Sequence, residues 1–247
     1  MQAVWIIRTS TADEQAGRRG VLVFAAGWAG SDELVRHLVR PNDGWDLLCL
    51  FDYRTQPSET EKEELINLLR PYRQRRLAAW SFGVWAAERI FGGVSAATTE
   101  EEGRFWDEAL AIGGTPAPID DLYGIPRRAF DVTVRSIGGT GTGKFLERMC
   151  GTPDVLREYY RHRSTRPLEE IYDELVALRR QAEAAETGGG GPAKGFWTEA
   201  IVGGRDAIFP PANLERYWSE AGVTVVRYPE MPHYPFGEPA LCARMIR

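Results

Sequence analysis

Cysteine, histidine and long apolar runs are all scarce in this chain. Its 247 residues include three cysteines and three histidines, and the cysteines are scattered without the spacing of metal ligands. A disulfide framework and a zinc site are therefore not expected. No apolar run approaches the ~20 residues needed to cross a bilayer, and the first residues lack the pattern of a signal peptide. We expect a cytoplasmic protein that needs no metal and no organic cofactor.

An excess of positive charge is also missing. The formal net charge is -5, which gives the protein no general attraction to nucleic acid or to anionic membranes. Neither is expected as a partner. At this length one domain of α/β size, or one such domain with an insertion, can bury a full core.

The clearest local pattern is Ala79-Trp80-Ser81-Phe82-Gly83. Residues 76–80 form an apolar run typical of a buried strand, and residues 84–90 have helical spacing. A strand, a sharp turn and a helix around a serine are the layout of a nucleophile elbow, whose usual sequence is Gly-x-Ser-x-Gly. Ala79 replaces the first glycine, so the pattern alone also fits a serine that only caps a helix.

Apolar runs alternate with helical segments along most of the chain. Strands are predicted near residues 4–8, 21–25, 45–51, 76–80, 108–115, 197–204 and 223–228, and helices near 31–40, 58–70, 84–90, 214–221 and 240–247. This alternation predicts an α/β fold with a mostly parallel central sheet covered by helices. A polar loop is expected near residues 98–104.

The strand pattern disappears after about residue 117 and returns after a glycine-rich linker at residues 187–192. Residues 118–185 have helical spacing instead. We therefore expect a core made of residues 1–117 and 186–247, with a helical cap inserted as residues 118–185.

A serine hydroxyl becomes a nucleophile only beside a base, and the base needs an acid that orients it. His233 lies in a proline-bounded loop after the last strand, whereas His37 and His162 fall in predicted helices. Asp206 follows the preceding strand, although alone it also fits a helix cap. Because the carboxyl ends of parallel strands meet at one edge, we expect Ser81, Asp206 and His233 to form a triad of nucleophile, acid and base.

Backbone donors for an oxyanion are predicted at the same edge. The stretch Ala26-Gly27-Trp28-Ala29-Gly30 follows a buried strand, and its glycines let backbone N–H groups face a ligand. We expect the N–H groups of Trp28 and Phe82 to form the oxyanion hole. Their side chains are expected to contact the substrate.

A second glycine-rich stretch, Gly138-Gly139-Thr140-Gly141-Thr142-Gly143-Lys144-Phe145, nearly matches a phosphate-binding loop. Phe145 stands where that motif needs a hydroxyl for magnesium, and the stretch lies in the predicted cap rather than after a first strand. A flexible connection is favoured over a nucleotide site.

With these residues identified, the chain resembles the BioG-type pimeloyl-acyl-carrier-protein methyl ester esterases of the α/β-hydrolase superfamily. The resemblance covers most of the chain and rests on Phe24-Ala25-Ala26-Gly27-Trp28, Phe51-Asp52-Tyr53, Ala79 to Trp85, Tyr123-Gly124-Ile125-Pro126, Glu147 to Gly151 and Arg205 to Asn213. It implies a serine carboxylesterase that cleaves the methyl ester of pimeloyl-acyl-carrier protein, releasing methanol, in biotin biosynthesis.

Residues 127–166 of the predicted cap carry eight arginines in an otherwise acidic protein. An acyl carrier protein is acidic, so an arginine-rich surface would attract it; the candidates for docking are Arg127, Arg128, Arg157 and Arg161. A solvated helical face is the alternative, because acidic residues are interspersed. Two further functions fit the same residues: a general short-chain carboxylesterase or thioesterase, and a non-catalytic binding protein with a hydrolase fold.

Overall fold

The structure is a computed structural model, and it describes residues 1–8, 20–38, 44–97, 104–186 and 195–246. Within these ranges seven strands form a sheet in the order β1-β3-β2-β4-β5-β6-β7. The strands are β1 (Gln2–Ile7), β2 (Gly20–Ala25), β3 (Trp45–Phe51), β4 (Arg75–Trp80), β5 (Glu108–Ile112), β6 (Glu199–Gly203) and β7 (Thr224–Tyr228). Strand β1 runs antiparallel to β3, and the other pairings are parallel.

Helices follow the strands and cover the sheet. They are α1 (Glu59–Leu69), α2 (Phe82–Ala97), α3 (Arg127–Thr140), α4 (Gly143–Cys150), α5 (Pro153–His162), α6 (Leu168–Glu186), α7 (Pro211–Glu220) and α8 (Pro239–Ile246), with short 3-10 helices at Asp32–Leu34 and Pro235–Gly237. The mostly parallel sheet between helices confirms the predicted α/β-hydrolase fold.

The centre of the sheet is apolar on both faces. Every residue of β2 and of β3 is buried, as expected for parallel strands that have helices on either side. Full burial of large side chains such as Phe24, Leu22 and Leu48 contributes roughly 1.5–3 kcal/mol each to folding. This rigid core fixes the carboxyl ends of β2, β4, β6 and β7.

Helices α3 to α6 lie between β5 and β6 in the chain. They reach the carboxyl edge of the sheet, where the indole Nε1 of Trp28, just after β2, donates to the carbonyl of Ile171 in α6 at 2.6 Å. The helical character predicted for residues 118–185 is thus present in the chain's described part.

Two local predictions are wrong. The helix expected over residues 31–40 is a 3-10 helix, Asp32–Leu34, followed by turns up to Leu38. Ser31 does not cap it, because its hydroxyl bonds to the carboxylate of Glu33 at 2.9 Å. The glycine-rich stretch from residue 138 is largely helical, since α3 continues to Thr140 and α4 begins at Gly143.

Some predictions fall outside the described residues: nearly all of the polar loop at 98–104 and the whole linker at 187–192. Among the residues that are described, no helix combines the length and the apolar character that a membrane span requires. The same residues contain no group of three or more histidine, cysteine, aspartate or glutamate side chains arranged to hold a metal ion.

Candidate active site

Ser81 occupies a strained turn between β4 and α2. Its φ of 58° lies in the left-handed region that non-glycine residues rarely adopt, and its N–H donates to the carbonyl of Ile112 in β5 at 2.9 Å. Gly83 lets α2 pass close to β2, because a Cβ there would lie 2.1 Å from the carbonyl oxygen of Ala25. A Cβ on Gly114 would lie 2.3 Å from the carbonyl oxygen of Ser81. These contacts give the serine the geometry of a nucleophile elbow.

His233 and Asp206 lie beside this serine, as the order of strands predicts. The Nε2 atom of His233 is 2.9 Å from the Oγ of Ser81, and its Nδ1 is 2.7 Å from Oδ2 of Asp206. The other oxygen of Asp206 accepts hydrogen bonds from the N–H groups of Ile208 and Phe209, both at 2.8 Å. The carboxylate is therefore held in one orientation, with one oxygen left for the imidazole.

Aromatic residues fix the histidine ring. The ring of Phe209 stacks on His233 with centroids 5.6 Å apart and planes 11° from parallel. Trp80, the residue before the serine, donates from its indole Nε1 to the carbonyl of His233 at 2.9 Å. The side chain of His233 is 1% exposed, so water has little access to its bond with Asp206.

The segment of residues 27–30 lies directly against the serine. A Cβ on Gly27 would be 2.9 Å from the Cβ of Ser81, and the N–H of Gly30 donates to the carbonyl of Gly27 at 3.0 Å, which closes a turn. Trp28 and Ala29 are the central residues of this turn, and Ala29 has a φ of 62°. Trp28 lines the same cavity as Ser81, and its backbone role in an oxyanion hole stays a prediction.

A cavity of about 40 Å³ opens beside Ser81 and His233, and the side chains of Trp28 and Phe82 line it. Its remaining wall is mostly apolar and comes largely from α3, α4 and α6, through Phe130, Phe145, Met149 and Leu175. A neighbouring cavity of about 350 Å³ shares Trp28, Trp80, Phe145 and Met149 with the first. Trp28 and Phe82 are predicted from the sequence, whereas the wall residues on the helices are not, because amphipathic spacing shows which residues are buried and not what they face.

The predicted docking arginines lie on exposed surface. Arg127 and Arg128 begin α3. Arg157 and Arg161 lie on α5 with side chains 70% and 69% exposed, and each pairs with an acid one turn earlier, Asp154 or Glu158.

The remaining cap arginines do not form one surface. Arg166 is largely buried, and Arg148 bonds to the hydroxyl of Thr133 at 3.1 Å at the wall of the smaller cavity.

The other candidate nucleophiles and bases lie outside this arrangement. Burial raises the pKa of Cys150 to about 12 and that of Cys242 to about 11, which leaves both thiols protonated and unreactive at neutral pH. Burial also raises the pKa of Cys49 well above its ordinary value. His37 and His162 stack on each other, with ring centroids 3.9 Å apart.

Comparisons with known proteins identify the family of the chain. The family model described as pimeloyl-ACP methyl esterase BioG matches residues 7–239. The chain belongs to the BioG family. The crystal structure of BioG from Haemophilus influenzae has 30% sequence identity and a TM-score of 0.72, covering 96% of this chain and 95% of that one. Membership of this family supports assignment to the carboxylic ester hydrolases.

Two further comparisons concern the fold of the chain and its length relative to a longer protein. An esterase from Exiguobacterium antarcticum, at 15% identity, has a TM-score of 0.68 over 93% of this chain and 91% of its own, which shows the shared fold. A malonyl-[acyl-carrier protein] O-methyltransferase from Bacteroides fragilis is 34% identical over 230 residues, which is 92% of this chain. The chain spans only 42% of the length of that relative.

Proposed function

We propose that this chain is a serine carboxylesterase that hydrolyses the methyl ester of pimeloyl-acyl-carrier protein to pimeloyl-acyl-carrier protein and methanol in biotin biosynthesis. The observation that carries the proposal is the hydrogen-bonded row of Ser81, His233 and Asp206, in a chain that the BioG family model matches over residues 7–239.

In the proposed mechanism Ser81 Oγ attacks the carbonyl carbon of the methyl ester while Nε2 of His233 takes its proton. The tetrahedral intermediate collapses as the C–O bond to the methoxy group breaks, and His233 gives its proton to the departing methanol. Water then attacks the acyl group on Ser81, and His233 moves a proton from the water to the serine oxygen. Asp206 orients the imidazole and stabilises its cation throughout.

The oxyanion of each intermediate would be held by the backbone N–H groups of Trp28 and Phe82. Donors of this kind are worth about 2.7–4 kcal/mol each in the transition state. The position of residues 27–30 against Ser81 supports this role. Because the donors are backbone groups, changing the side chain of Trp28 should alter substrate fit more than charge stabilisation.

The two cavities support an ester with a small alcohol and a long acyl part. The space of about 40 Å³ at Ser81 suits a group as small as a methyl ester, whereas the adjoining space of about 350 Å³ has room for an extended chain. Its lining includes Arg163, Ser164 and Arg166 at polar positions. On this proposal residues 118–185 act as a cap over a core formed by residues 1–117 and 186–247.

An acidic carrier protein would dock on the exposed arginines of the cap. Arg157 and Arg161 are well exposed, but each already has an acidic partner on α5. Their contribution to docking is therefore smaller than that of unpaired arginines, since the carrier protein must compete with Asp154 and Glu158.

The test is to incubate the purified protein with pimeloyl-acyl-carrier-protein methyl ester, beside Ser81→Ala, and to follow the loss of the methyl group by intact mass. We expect loss with the parent protein and a rate roughly 10⁶-fold lower with Ser81→Ala. Hydrolysis of short esters that depends on Ser81, without loss from the carrier-bound ester, would favour a general short-chain carboxylesterase. A Ser81→Ala protein as active as the parent would leave only a non-catalytic role for this site.

A further inference from the structure

Helix α6 and the residues just before it hold the turn at residues 27–30 through three hydrogen bonds. The indole Nε1 of Trp28 donates to the carbonyl of Ile171 at 2.6 Å, and the carbonyl of Gly30 accepts from Nη1 of Arg166 at 3.2 Å. Between them, the N–H of Ala29 donates to Oε2 of Glu174 at 3.2 Å. The turn thus contacts both the serine and this part of the chain.

Glu174 is the most deeply buried acid in this contact, with a relative exposure of 0%. Its Oε1 accepts from the N–H of Tyr53, just after β3, at 2.8 Å, and its Oε2 accepts from Arg166 at 2.8 Å as well as from Ala29. Burial raises the pKa of this carboxyl above its ordinary value of 4.5, against the charge of Arg166 and the amide bonds, which lower it. A buried carboxylate is costly unless such donors compensate it.

Each oxygen of Glu174 accepts a hydrogen bond from a backbone N–H group that follows the end of β2 or β3. Ala29 has a φ of 62°, a conformation that alanine adopts only when its surroundings impose it. The Ala29 N–H belongs to the peptide unit next to the one that carries the N–H of Trp28. Fixing the first unit therefore restricts the direction of the second.

We propose that Glu174 is a positioning residue for the oxyanion hole. It holds the turn so that the backbone N–H of Trp28 points at the oxygen of the tetrahedral intermediate, and it acts through Ala29 rather than on the substrate. The role rests on the proposed esterase function but not on the identity of the acyl carrier. It can therefore be tested with a small ester.

The decisive variant is Glu174→Gln. A glutamine keeps the shape of the side chain, but its amide group can only donate on one side, so at least one of the N–H groups now bonded to Glu174 faces a donor. The matched control is Glu183→Gln, because Glu183 lies on the same helix and bonds at 3.0 Å to Arg179.

Four quantities are measured for the parent and both variants: kcat and KM for p-nitrophenyl butyrate, the inhibition constant of a trifluoromethyl ketone, and that of the secondary alcohol with the same carbon skeleton. The ketone adds to the serine and places an oxyanion in the hole, whereas the alcohol only fills the cavity. For Glu174→Gln we expect kcat to fall on the order of 10-fold to 100-fold with little change in KM. The inhibition constant of the ketone should rise by the same factor, and that of the alcohol should stay unchanged.

Other results of these measurements would contradict the proposal. Unchanged kcat and ketone binding in Glu174→Gln would overturn the proposal, and so would an equal weakening of ketone and alcohol, which indicates a general collapse of the cavity. These measurements use only small molecules and do not follow the loss of methyl groups from the carrier-bound ester. Failure of the proposed reaction can therefore be distinguished from failure of this proposal. Loss of activity in Glu183→Gln to the same extent would also count against Glu174.

Should Glu174→Gln not fold, the parent protein still provides a test. The amide resonances of Ala29 and Tyr53 should shift together as pH falls, with one shared midpoint above pH 4.5, because both amides bond to the same carboxylate. Separate midpoints, or no shift in Ala29, would contradict the assignment.

Discussion

The carboxyl edge of the sheet and the helices α3 to α6 contribute differently to the same cavity. The sheet edge supplies Ser81, His233 and Asp206, which are buried and joined by hydrogen bonds of 2.7 and 2.9 Å. The helices supply a mostly apolar wall and exposed arginines. Under the proposed function, we expect bond breaking to depend on the sheet edge and the choice of ester to depend on the helices.

Glu174 does not fit this division between the sheet edge and the helices. It lies on α6, yet its contacts go to the backbone at the ends of β2 and β3. If it positions the oxyanion hole, one of the helices belongs functionally to the sheet edge. We therefore expect variants of the wall to change the preference between esters, and variants of Glu174 to lower the rate for all esters alike.

The largest effect is expected from Asp206→Asn, a substitution at the sheet edge. The asparagine keeps the acceptor for Ile208 and Phe209, but its amide group faces Nδ1 of His233 and favours the wrong tautomer. We expect kcat to fall about 10⁴-fold, by the same factor for carrier-bound methyl ester and for methyl butyrate, because both release methanol. Stopped assays on both esters check this, and a change confined to one ester would contradict a purely chemical role.

An intermediate effect is expected from Phe145→Ala. Phe145 lines both cavities and packs edge-on against Trp28, with ring centroids 4.9 Å apart. Removing the ring joins the two spaces and takes away contacts with the acyl chain, so kcat/KM for the carrier-bound ester should fall about 10-fold or more.

The matched control for this variant is Lys144→Ala, because Lys144 is the exposed neighbour of Phe145. A short acetyl ester, which does not reach the second cavity, should lose little activity in Phe145→Ala. Equal losses on long and short acyl chains would show that Phe145 supports the reacting groups rather than the chain.

The smallest effect is expected from the double variant Arg157→Glu and Arg161→Glu. Because each arginine has an acidic partner on its own helix, we expect KM for the carrier-bound ester to rise only a few-fold at low salt, and the effect to fade as salt screens it. The small ester should be unaffected. Arg70→Glu with Arg73→Glu is the control of equal charge, placed before β4 at the opposite edge of the sheet. An equal rise in KM in this control would argue for net charge rather than docking.

The order of the strands made the core of the site predictable from sequence. Ser81, Asp206 and His233 each follow a predicted strand, and parallel strands bring such residues to one edge whatever their separation in the chain. Trp28 and Phe82 follow from the same rule. No detail of side-chain packing was needed for these positions.

The helical side of the site could not be predicted in the same way. Glu174 has the sequence context of a solvated glutamate on a charged helix, and its burial depends on Ala29, 145 residues away. The spacing of Phe145 and Met149 predicts a buried helix face, but it does not predict that a cavity lies against that face. The failed prediction of a helix from residue 31 has a similar cause, because Glu33 bonds to Thr165 from the distant connection between α5 and α6.

The most direct test is the ratio of kcat/KM for carrier-bound methyl ester to kcat/KM for methyl butyrate, measured across Asp206→Asn, Glu174→Gln, Phe145→Ala and the Arg157/Arg161 double variant. The division between sheet edge and helices predicts an unchanged ratio in the first two, despite large losses of rate, and a lowered ratio in the last two. A ratio that falls in Asp206→Asn, or that stays constant in Phe145→Ala and in the arginine variant, would contradict it.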